Sequence, residues 1–242
     1  MVDTAFVLAG GLGTRLKSTV SDVPKPMAIV AGRPFLEHLL DYLVDQGIEH
    51  IVLCVGYLRN VIQSHFEDSY RGRKISYSFE EELTGTGGAL SGALEQFQPT
   101  NQFLVCNGDT YFPIDISRLG NAALGKSWAI ATFSATDFER YGALSVAPNG
   151  AIQDTGSEFG HLQSGRAMTV QANSGVWVGN PGEISFPLFA SENVYSLENY
   201  LLQSLRAGLV TAVAREFDET FIDIGLPTDF ARAQKMPVFR GR

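Results

Sequence analysis

The fold class of this chain is decided by the stretch Ala5-Phe6-Val7-Leu8-Ala9-Gly10-Gly11-Leu12-Gly13-Thr14-Arg15-Leu16, with Pro24-Lys25-Pro26 a few residues later. Its first four residues are an apolar run that predicts a buried strand, and the glycines predict a loop where that strand ends. Because glycine has no Cβ, successive backbone N–H groups in such a loop can converge on phosphate oxygens. Arg15 and Lys25 add positive charge beside them. The stretch therefore predicts a polyphosphate site, and hence chemistry on a nucleotide.

Two common phosphate-binding glycine loops do not fit this stretch. A Walker loop requires Gly-Lys-Ser/Thr after its second glycine, whereas Gly13 is followed by Thr14 and Arg15. The dinucleotide fingerprint G-x-G-x-x-G, started at Gly11, would need a glycine where Leu16 stands. The sequence therefore favours neither an ordinary NTPase nor a dehydrogenase.

Length and charge narrow the class of protein. A chain of 242 residues with 45% apolar residues can bury a complete core, and we predict one α/β domain over residues 1–242, with a nucleotide half at about 1–110 and an acceptor half at about 111–242. The net charge is −8, and the 18 Lys and Arg residues are scattered rather than gathered in a patch. These features argue against a nucleic-acid-binding surface.

The remaining composition argues against membranes, disulfides and metal-binding histidines. No apolar run reaches 18 residues, and no signal-peptide pattern is present. Cys54 and Cys106 lie inside apolar runs and are expected as buried free thiols, which is typical of a reducing, cytoplasmic compartment. The four histidines show no metal-binding spacing, and no nucleophile arrangement of the Ser-His-Asp or Cys-His kind is indicated.

Strand-like and helix-like segments alternate along the chain. Leu36, Leu39, Leu40 and Leu43 recur at helical spacing, as do Leu90, Leu94 and Phe97. Strand-like runs are predicted at 5–8, 50–55, 74–79, 102–106, 128–133 and 211–214. This alternation predicts a three-layer, Rossmann-like α/β fold with a mixed, mostly parallel central sheet and a small β-rich insertion at about 141–180 that grips an acceptor. The ligand then lies beyond the carboxyl ends of the strands, where the glycine loop falls.

Two acidic residues suit the same crevice. Asp109 follows the apolar strand that ends in Asn107-Gly108, and Gly108 permits close backbone approach. Asp223 stands between Ile222 and Ile224, where a carboxylate is costly to bury unless positive charge lies beside it. By itself, an aspartate at a strand end is more often a turn or helix-capping residue, so the pair carries the argument.

These elements together resemble the sugar-1-phosphate nucleotidyltransferases, whose signature is roughly L-A-G-G-x-G-T-R-L followed by P-K-P. The resemblance extends from Val7 to Phe230. In that family the neighbourhoods G-D and W/F-x-D-I-G-T-P hold Mg²⁺, which implies Asp109 and Asp223 as metal ligands. The family signature likewise implies Arg15 and Lys25 as catalytic residues. The implied reaction is in-line attack of a sugar 1-phosphate on the α-phosphorus of an NTP, with release of pyrophosphate. The implied nucleotide-binding residues are Leu8, Ala9, Gly10, Gly11, Gly13, Thr14, Glu80, Gly85, Thr86 and Asn107.

The resemblance also indicates a choice of base. In the family, a G-T-x-G/D-A stretch lies against the nucleobase, and Gly85-Thr86-Gly87-Gly88-Ala89 matches it. The residue five positions before the first glycine commonly faces the edge of the base, and here it is Glu80. A carboxylate can accept from the adjacent N1–H and N2–H₂ groups of guanine, which favours GTP. Three alternatives stay open: Glu81 or Glu82 takes this position, backbone groups read the base, or the stretch is an ordinary glycine-rich turn in which Thr86 caps the helix.

The acceptor side is less complete. Tyr141-Gly142-Ala143 and Asn173-Ser174-Gly175-Val176-Trp177 resemble family segments that approach the sugar, which implies sugar-phosphate contacts from Gly142 and Asn173. Glu198 is either a sugar ligand or a first-turn acid of a helix capped by Ser196. Many relatives carry a Glu-Lys pair between these two segments, and this chain has no lysine there. Arg166 or Lys25 is left as the partner of the acceptor phosphate.

Among subfamilies, the chain looks most like the D-glycero-α-D-manno-heptose 1-phosphate guanylyltransferases of capsule and surface-glycan synthesis. A mannose- or glucose-1-phosphate enzyme that uses GTP, UTP or dTTP is the first alternative. A nucleotide-sugar-binding protein without catalysis is the second. The implied partners are GTP and a sugar 1-phosphate, and the sequence leaves open whether the protein is a homodimer.

Overall fold

The fold is built around an apolar strand, β1, that is buried on both of its faces. Ala5, Phe6 and Val7 are completely inaccessible to solvent. In this computed structural model, which describes residues 1–11, 23–135, 141–156, 169–184 and 194–240, β1 pairs in parallel with one strand on each side. A central strand that packs helices on both faces must be apolar at every position, and this explains why the run does not alternate with polar residues.

The described elements follow one another in this order. They are β1 Thr4–Leu8, a 3-10 turn Lys25–Met27, β2 Ile29–Val30, β3 Arg33–Pro34, α1 Phe35–Asp45, β4 His50–Val55, α2 Arg59–Phe66, β5 Ser69–Tyr70, β6 Arg73–Phe79, α3 Gly85–Phe97, β7 Phe103–Asn107, β8 Thr110–Tyr111, α4 Ile116–Ala122, β9 Trp128–Phe133, β10 Ala143–Val146, β11 Ile152–Gly156, β12 Thr169–Gly179, a 3-10 turn Pro181–Glu183, α5 Leu197–Arg206, β13 Ala212–Glu216, β14 Ile222–Asp223, α6 Pro227–Ala233 and α7 Pro237–Arg240.

Ten of these strands form the central sheet, in the order β11-β10-β12-β7-β1-β4-β6-β5, with β9 beside β12 and β13 beside β9. Strands β7, β1, β4 and β6 are parallel, whereas β12 runs antiparallel to β7, β9 and β10. Following the pairings outward, only β5, β11 and β12 oppose the direction of β1. The described sheet is therefore mixed and mostly parallel, as predicted.

The core divides into two layers, one on each face of the sheet. Ala5 and Val7 of β1 pack with α1, α2, α4, α6 and α7, whereas Phe6 packs with α3 and α5. Helix α1 buries Leu36, Leu40 and Leu43 in the core layer that contains Ala5 and Val7. The spacing of these leucines is the one that predicted the helix. The second layer is centred on Trp128, whose ring makes edge contacts with neighbouring aromatic rings. Helices on both faces of one sheet give the predicted three-layer arrangement.

The six predicted strands all exist, with ends shifted by at most two residues. The strand predicted at 211–214, for example, is β13 at Ala212–Glu216. The β-rich segment predicted at about 141–180 contains β10, β11 and β12, and β12 joins it directly to β7 of the central sheet. Strand pairing over several residues on both edges of β12 makes this segment an extension of the main sheet.

Two further expectations concern cysteines and membranes. Cys54 and Cys106 are free and buried, as predicted. Burial raises the pKa of Cys106 to about 12, and burial likewise raises the pKa of Cys54, so both thiols are neutral and unsuited to nucleophilic attack. Within the described residues, no helix is long and apolar enough to cross a membrane.

Candidate active site

A cavity of about 480 Å³ opens at the carboxyl ends of β1, β6 and β7. This is where the ligand of an open α/β sheet binds, because the loops that leave the strands diverge there. Most of the residues that the sequence predicted for nucleotide, metal and catalysis line this one cavity. They are Leu8, Ala9, Gly10, Gly11, Lys25, Glu80, Gly85, Thr86, Asn107, Asp109 and Asp223.

Three residues of the predicted phosphate loop, Gly13, Thr14 and Arg15, lie outside the described residues, as does Arg166. The part of the loop that is described shows a close approach between strands. The N–H of Ala9 donates to the carbonyl of Cys54 at 2.8 Å, and a Cβ on Gly10 would stand 2.5 Å from a carboxylate oxygen of Glu80. Glycine at position 10 therefore makes room for the side chain of Glu80.

Lys25 is presented by a short, rigid turn. The turn Lys25–Met27 begins after Pro24, and its second residue, Pro26, is buried together with Met27. The N–H of Met27 donates to the carbonyl of Pro24 at 2.7 Å. Two prolines with fixed φ and two buried side chains hold the backbone, so the lysine side chain starts from a defined position at the cavity wall.

The two candidate metal ligands are brought together by a two-residue ladder. Strands β8 and β14 are antiparallel, with Asp223 opposite Thr110, and the N–H of Ile224 donates to the carbonyl of Asp109 at 3.0 Å. This ladder joins segments that are far apart in the chain. It places the carboxylates of Asp109 and Asp223 on either side of the same ammonium group.

That ammonium is Lys25. Its Nζ forms an ion pair with Asp109 and lies 3.7 Å from Oδ1 of Asp223. All three side chains keep less than a third of their surface exposed, so the charges interact through a medium less polar than bulk water. This positive charge offsets the desolvation cost of burying Asp223 between two isoleucines, as the sequence analysis predicted.

Gly225 completes the cluster. Its N–H donates to Oδ1 of Asp223 at 2.6 Å, and a Cβ at this position would stand 2.6 Å from Nζ of Lys25. Any side chain here would therefore force the lysine and the carboxylate apart. Gly225 lines the cavity but was not among the predicted site residues, although its place two residues after Asp223 was a usable signal.

The titratable residues that line the cavity carry a net negative charge. Among the described residues that line the cavity, one lysine stands against three acids, Glu80, Asp109 and Asp223, which gives these residues a formal charge of −2. A polyphosphate would be repelled by these groups unless further cations were present.

Among the described residues, no group of three or more His, Cys, Asp and Glu side chains could hold a metal, so the available donor set is the pair Asp109 and Asp223. This set fits Mg²⁺, which takes one or two carboxylates and completes its shell with water and phosphate oxygens.

Glu80 lies at the other end of the cavity and is held in place by Thr84. One of its oxygens accepts from the Thr84 hydroxyl at 2.9 Å and from the Thr84 N–H at 3.3 Å. The alternatives Glu81 and Glu82 are exposed and do not line the cavity, and Glu81 pairs with Arg59 at 2.8 Å. Of the three consecutive glutamates, Glu80 is thus the one that faces the cavity.

The stretch from Gly85 begins α3 and lines the cavity through Gly85, Thr86 and Ala89. The Thr86 hydroxyl does not cap its own helix. It accepts from the N–H of Leu197, the first residue of α5, at 3.0 Å. The alternative in which Thr86 caps its own helix is therefore wrong: the N-cap position of α3 is Thr84, and the Thr86 hydroxyl binds the start of α5, 111 residues further along the chain.

The three predicted acceptor residues lie next to one another but do not line the cavity. Asn173 is the hub: its N–H donates to the carbonyl of Gly142 at 3.0 Å, and its side-chain amide donates to Glu198 at 3.1 Å. Its Oδ1 accepts from Gly175 at 2.9 Å. A Cβ on Gly175 would stand 2.3 Å from the side chain of Asn107, which lines the cavity. The cluster of Gly142, Asn173 and Glu198 therefore lies against the cavity wall.

Sequence reasoning missed two residues that contact these segments. Thr84 fixes Glu80, and Tyr195 packs on α3, where a Cβ on Gly85 or Gly87 would stand 2.4 Å from it. No local pattern marks either residue. The glycines were expected against a nucleobase, and the structure gives each a second reason, the close passage of Tyr195. Ser196 does cap α5, as predicted, by accepting from the N–H of Asn199 at 3.1 Å.

Comparison with known proteins identifies the family. The family model for nucleotidyl transferases matches residues 4–155, which is more than half of the chain and includes Lys25 and Asp109. The chain belongs to the nucleotidyl transferase family. The predicted family and enzyme class are therefore confirmed.

Two nearly full-length relatives of this nucleotidyl transferase carry the same name. One, from Campylobacter jejuni, is a D-glycero-alpha-D-manno-heptose 1-phosphate guanylyltransferase with 39% identity over 93% of this chain and 96% of its own. The other, from Aneurinibacillus thermoaerophilus, is 35% identical over 96% of both chains. A crystal structure of HddC from Yersinia pseudotuberculosis, complexed with GMP-PN, superimposes with a TM-score of 0.78 at 32% identity and covers 97% of this chain and 99% of its own. The predicted fold class is confirmed by this likeness.

Proposed function

We propose that this nucleotidyl transferase transfers GMP from GTP to D-glycero-α-D-manno-heptose 1-phosphate and releases pyrophosphate, as a step in the supply of a surface glycan such as a capsule or lipopolysaccharide. The observation that carries the proposal is the single cavity with Lys25 between two carboxylates at one end and Glu80 at the other. The names and nearly full-length similarity of the two guanylyltransferases support the choice of substrates.

In the proposed reaction, an oxygen of the sugar phosphate forms a bond to the α-phosphorus of GTP. The bond from the α-phosphorus to the bridging oxygen breaks, and pyrophosphate leaves with the electron pair. No covalent enzyme intermediate is needed, so positioning and charge neutralisation supply the catalysis. Lys25 lies between the two anions and lowers their mutual repulsion. The strand end at Leu8–Gly11, with Gly13, Thr14 and Arg15, holds the leaving phosphates.

Asp109 and Asp223 would hold Mg²⁺, which supplies charge neutralisation at the α-phosphate when it is bound. The formal charge of the described lining residues supports this assignment, because Lys25 and the predicted Arg15 together do not neutralise three acids and an anionic substrate. The ladder between β8 and β14 sets the separation of the two carboxylates, and Gly225 leaves space beside them. Lys25 pairs with both carboxylates and so acts as their counter-ion until a metal ion and the phosphates arrive.

Selection of guanine is assigned to Glu80, with Gly85, Thr86 and Asn107 as further nucleotide contacts. A carboxylate that faces the base end of the cavity can accept from N1–H and N2–H₂ together, and uracil or thymine offers only one N–H donor on that edge. Both bonds from Thr84 end on the same oxygen of Glu80, Oε1, so Oε2 keeps its two lone pairs for the donors of the base. Thr84 thereby fixes the direction of the carboxylate and leaves one oxygen open.

The sugar phosphate is assigned to the cluster of Gly142, Asn173 and Glu198. The side-chain amide of Asn173 holds Glu198, and the carboxylate retains acceptor capacity for sugar hydroxyls. Lys25 or Arg166 would bind the acceptor phosphate in place of the lysine that many relatives have.

We further infer that the chain forms a single domain, with a nucleotide half at about 1–110 and an acceptor half at about 111–242. We also infer a reducing, cytoplasmic compartment, which two buried free cysteines support.

The test measures pyrophosphate release with Mg²⁺, with GTP, UTP, dTTP, CTP and ATP each combined with a panel of sugar 1-phosphates that includes the manno-heptose. Release with GTP and the heptose phosphate is the expected result. Release with another base and a hexose phosphate would keep the reaction but overturn the substrate assignment. Binding of nucleotide and sugar without any release would instead support a binding protein that lacks catalysis.

A further inference from the structure

The two helices that begin beside the cavity cap each other. Helix α3 starts at Gly85 and carries residues of the base end, and α5 starts at Leu197 and carries Glu198 in its first turn. The first N–H groups of any helix have no partner within the helix and must find one elsewhere. Here Thr86 of α3 supplies a partner to α5, and Tyr195, two residues before α5, supplies one to α3, so the starting points of the two helices are fixed relative to one another.

The contacts are reciprocal and join Tyr195 and Leu197 to three residues at the start of α3. The carbonyl of Tyr195 accepts from the N–H of Gly87 in the first turn of α3, at 3.0 Å, and the N–H of Tyr195 donates to the carbonyl of Thr84 at 3.0 Å. The hydroxyl of Thr86 then accepts from the N–H of Leu197 at 3.0 Å. Three hydrogen bonds within a few residues leave little freedom for one segment to move without the other.

The glycines show that this contact is tight. At Gly85, where φ is +77°, a Cβ would stand 2.4 Å from the carbonyl oxygen of Tyr195, and at Gly87 it would stand 2.4 Å from its ring. Backbone atoms cannot give way as a flexible side chain can, so the close passage of Tyr195 requires glycine at Gly85. At Gly87 the clash is with the Tyr195 ring, which any side chain would have to displace.

A continuous path of hydrogen bonds results between the two ends of the site. Glu80 is bound by Thr84, whose carbonyl is bound by Tyr195, and the same short segment continues into Glu198. Glu198 in turn accepts from Asn173 at 3.1 Å. The carboxylate assigned to the base and the carboxylate assigned to the sugar thus lie on one connected framework.

We propose that Thr86 is a positioning residue for the acceptor site: its hydroxyl holds the start of α5, and with it Glu198, in register with the loop that receives the nucleobase. This inference rests on the proposed function, since it takes Glu198 as a sugar ligand. It follows that a bound nucleotide, by ordering the loop at Thr84–Thr86, also orders Glu198, so that the sugar phosphate binds better once GTP is in place. Coupling of this kind needs only that both ligands favour the same arrangement of one element.

The test compares Michaelis constants for the two substrates in Thr86→Val, which keeps the shape and removes the acceptor for the Leu197 N–H. We expect the KM for the sugar phosphate to rise about five- to tenfold, the usual effect of losing one such hydrogen bond. The KM for GTP should rise by a smaller factor than the KM for the sugar phosphate, because valine keeps the shape with which Thr86 lines the nucleotide cavity. Thr86→Ser retains the hydroxyl and should restore the wild-type KM for the sugar phosphate.

Thr228→Val is the matched control, because Thr228 is an exposed second residue of a helix, α6, just as Thr86 is the second residue of α3. It should change neither KM. A rise in the KM for GTP in place of that for the sugar phosphate, or failure of Thr86→Ser to restore it, would overturn the proposal. The comparison uses whichever substrate pair the wild-type enzyme turns over, so a wrong substrate assignment is detected separately.

A measurement on the unaltered protein needs neither turnover nor a variant. Amide hydrogen exchange of the segment 194–200 is followed with and without GTP in the absence of any sugar phosphate. GTP should slow exchange there, because the bond from Leu197 to Thr86 opens less often once the loop is ordered. GTP binding that slows exchange in α3 but leaves 194–200 unchanged would overturn the coupling.

Discussion

Replacing Lys25 with methionine removes one positive charge and retains most of the apolar stem, so it isolates the role of the ammonium group. In the folded protein this group is shared between Asp109 and Asp223, and its Nζ lies 3.7 Å from the second carboxylate. Without it, two carboxylates lie close together at the wall of a cavity, and the formal charge of the described residues that line it falls from −2 to −3. We expect separate effects on turnover and on stability.

The size of each effect follows from the geometry. At about 4 Å and an effective dielectric constant of about 20, one charge pair attracts by about 4 kcal/mol in gross terms. Because the side chains remain 17–28% exposed, screening reduces the net contribution of the ion pairs to folding to about 1 kcal/mol each. In the transition state, the loss of one stabilising charge lowers turnover by a factor of about 100 to 1,000.

Turnover is measured as pyrophosphate release at saturating concentrations of both substrates, and stability as Tm with and without Mg²⁺. Lys25→Met should lose at least about 100-fold in kcat. Its Tm should be lower than that of the wild type without Mg²⁺, and the difference should shrink at millimolar Mg²⁺, because a second cation then neutralises the carboxylates. Lys235→Met, at an exposed lysine, is the control and should match the wild type in both measurements. Near-normal kcat in Lys25→Met, or a Tm difference that Mg²⁺ leaves unchanged, would refute the assignment of this cluster.

Glu80→Gln should raise the KM for GTP by about tenfold or more, because an amide replaces a charged acceptor. The preference for GTP over UTP should narrow as well. Equal KM values for GTP in variant and wild type would exclude Glu80 from base selection. Gly85→Ala should lower Tm by several degrees, corresponding to about 2 kcal/mol or more, because its φ of +77° and the carbonyl of Tyr195 at 2.4 Å both oppose a Cβ. Gly92→Ala, in open space on the same helix, should leave Tm unchanged or raise it, and a similar loss in both variants would contradict this reasoning. Burial lowers the pKa of His38 below its ordinary 6.5, so the unfolded chain binds the proton more tightly, and the free energy of unfolding should decrease as the pH falls from 7 to 5. Denaturant titrations of His38→Gln should show a shallower decrease over that window, and an unchanged slope would rule out this contribution.

The sequence by itself determined the elements and the family. Apolar runs of strand length and leucines at helical spacing are local patterns, and for this reason β1, β4, β9 and α1 lie close to where they were predicted. The glycine-rich strand end followed by Lys25 is also local, and it was enough to indicate a nucleotide site. Asp223 was marked by its isoleucine neighbours, since a carboxylate in that setting requires a nearby positive charge.

Only the tertiary structure decided which of these residues meet. The reversed direction of β12, the ladder that sets Asp109 beside Asp223, and the bond from Thr86 to Leu197 each join segments far apart in the chain. Periodicity records how a segment is buried, but it does not record which segment lies opposite. Which segments become neighbours depends on the whole sheet, because all of its strands must form their hydrogen bonds while helices cover both of its faces. The strand order then determines which distant loops meet at the carboxyl edge of the sheet.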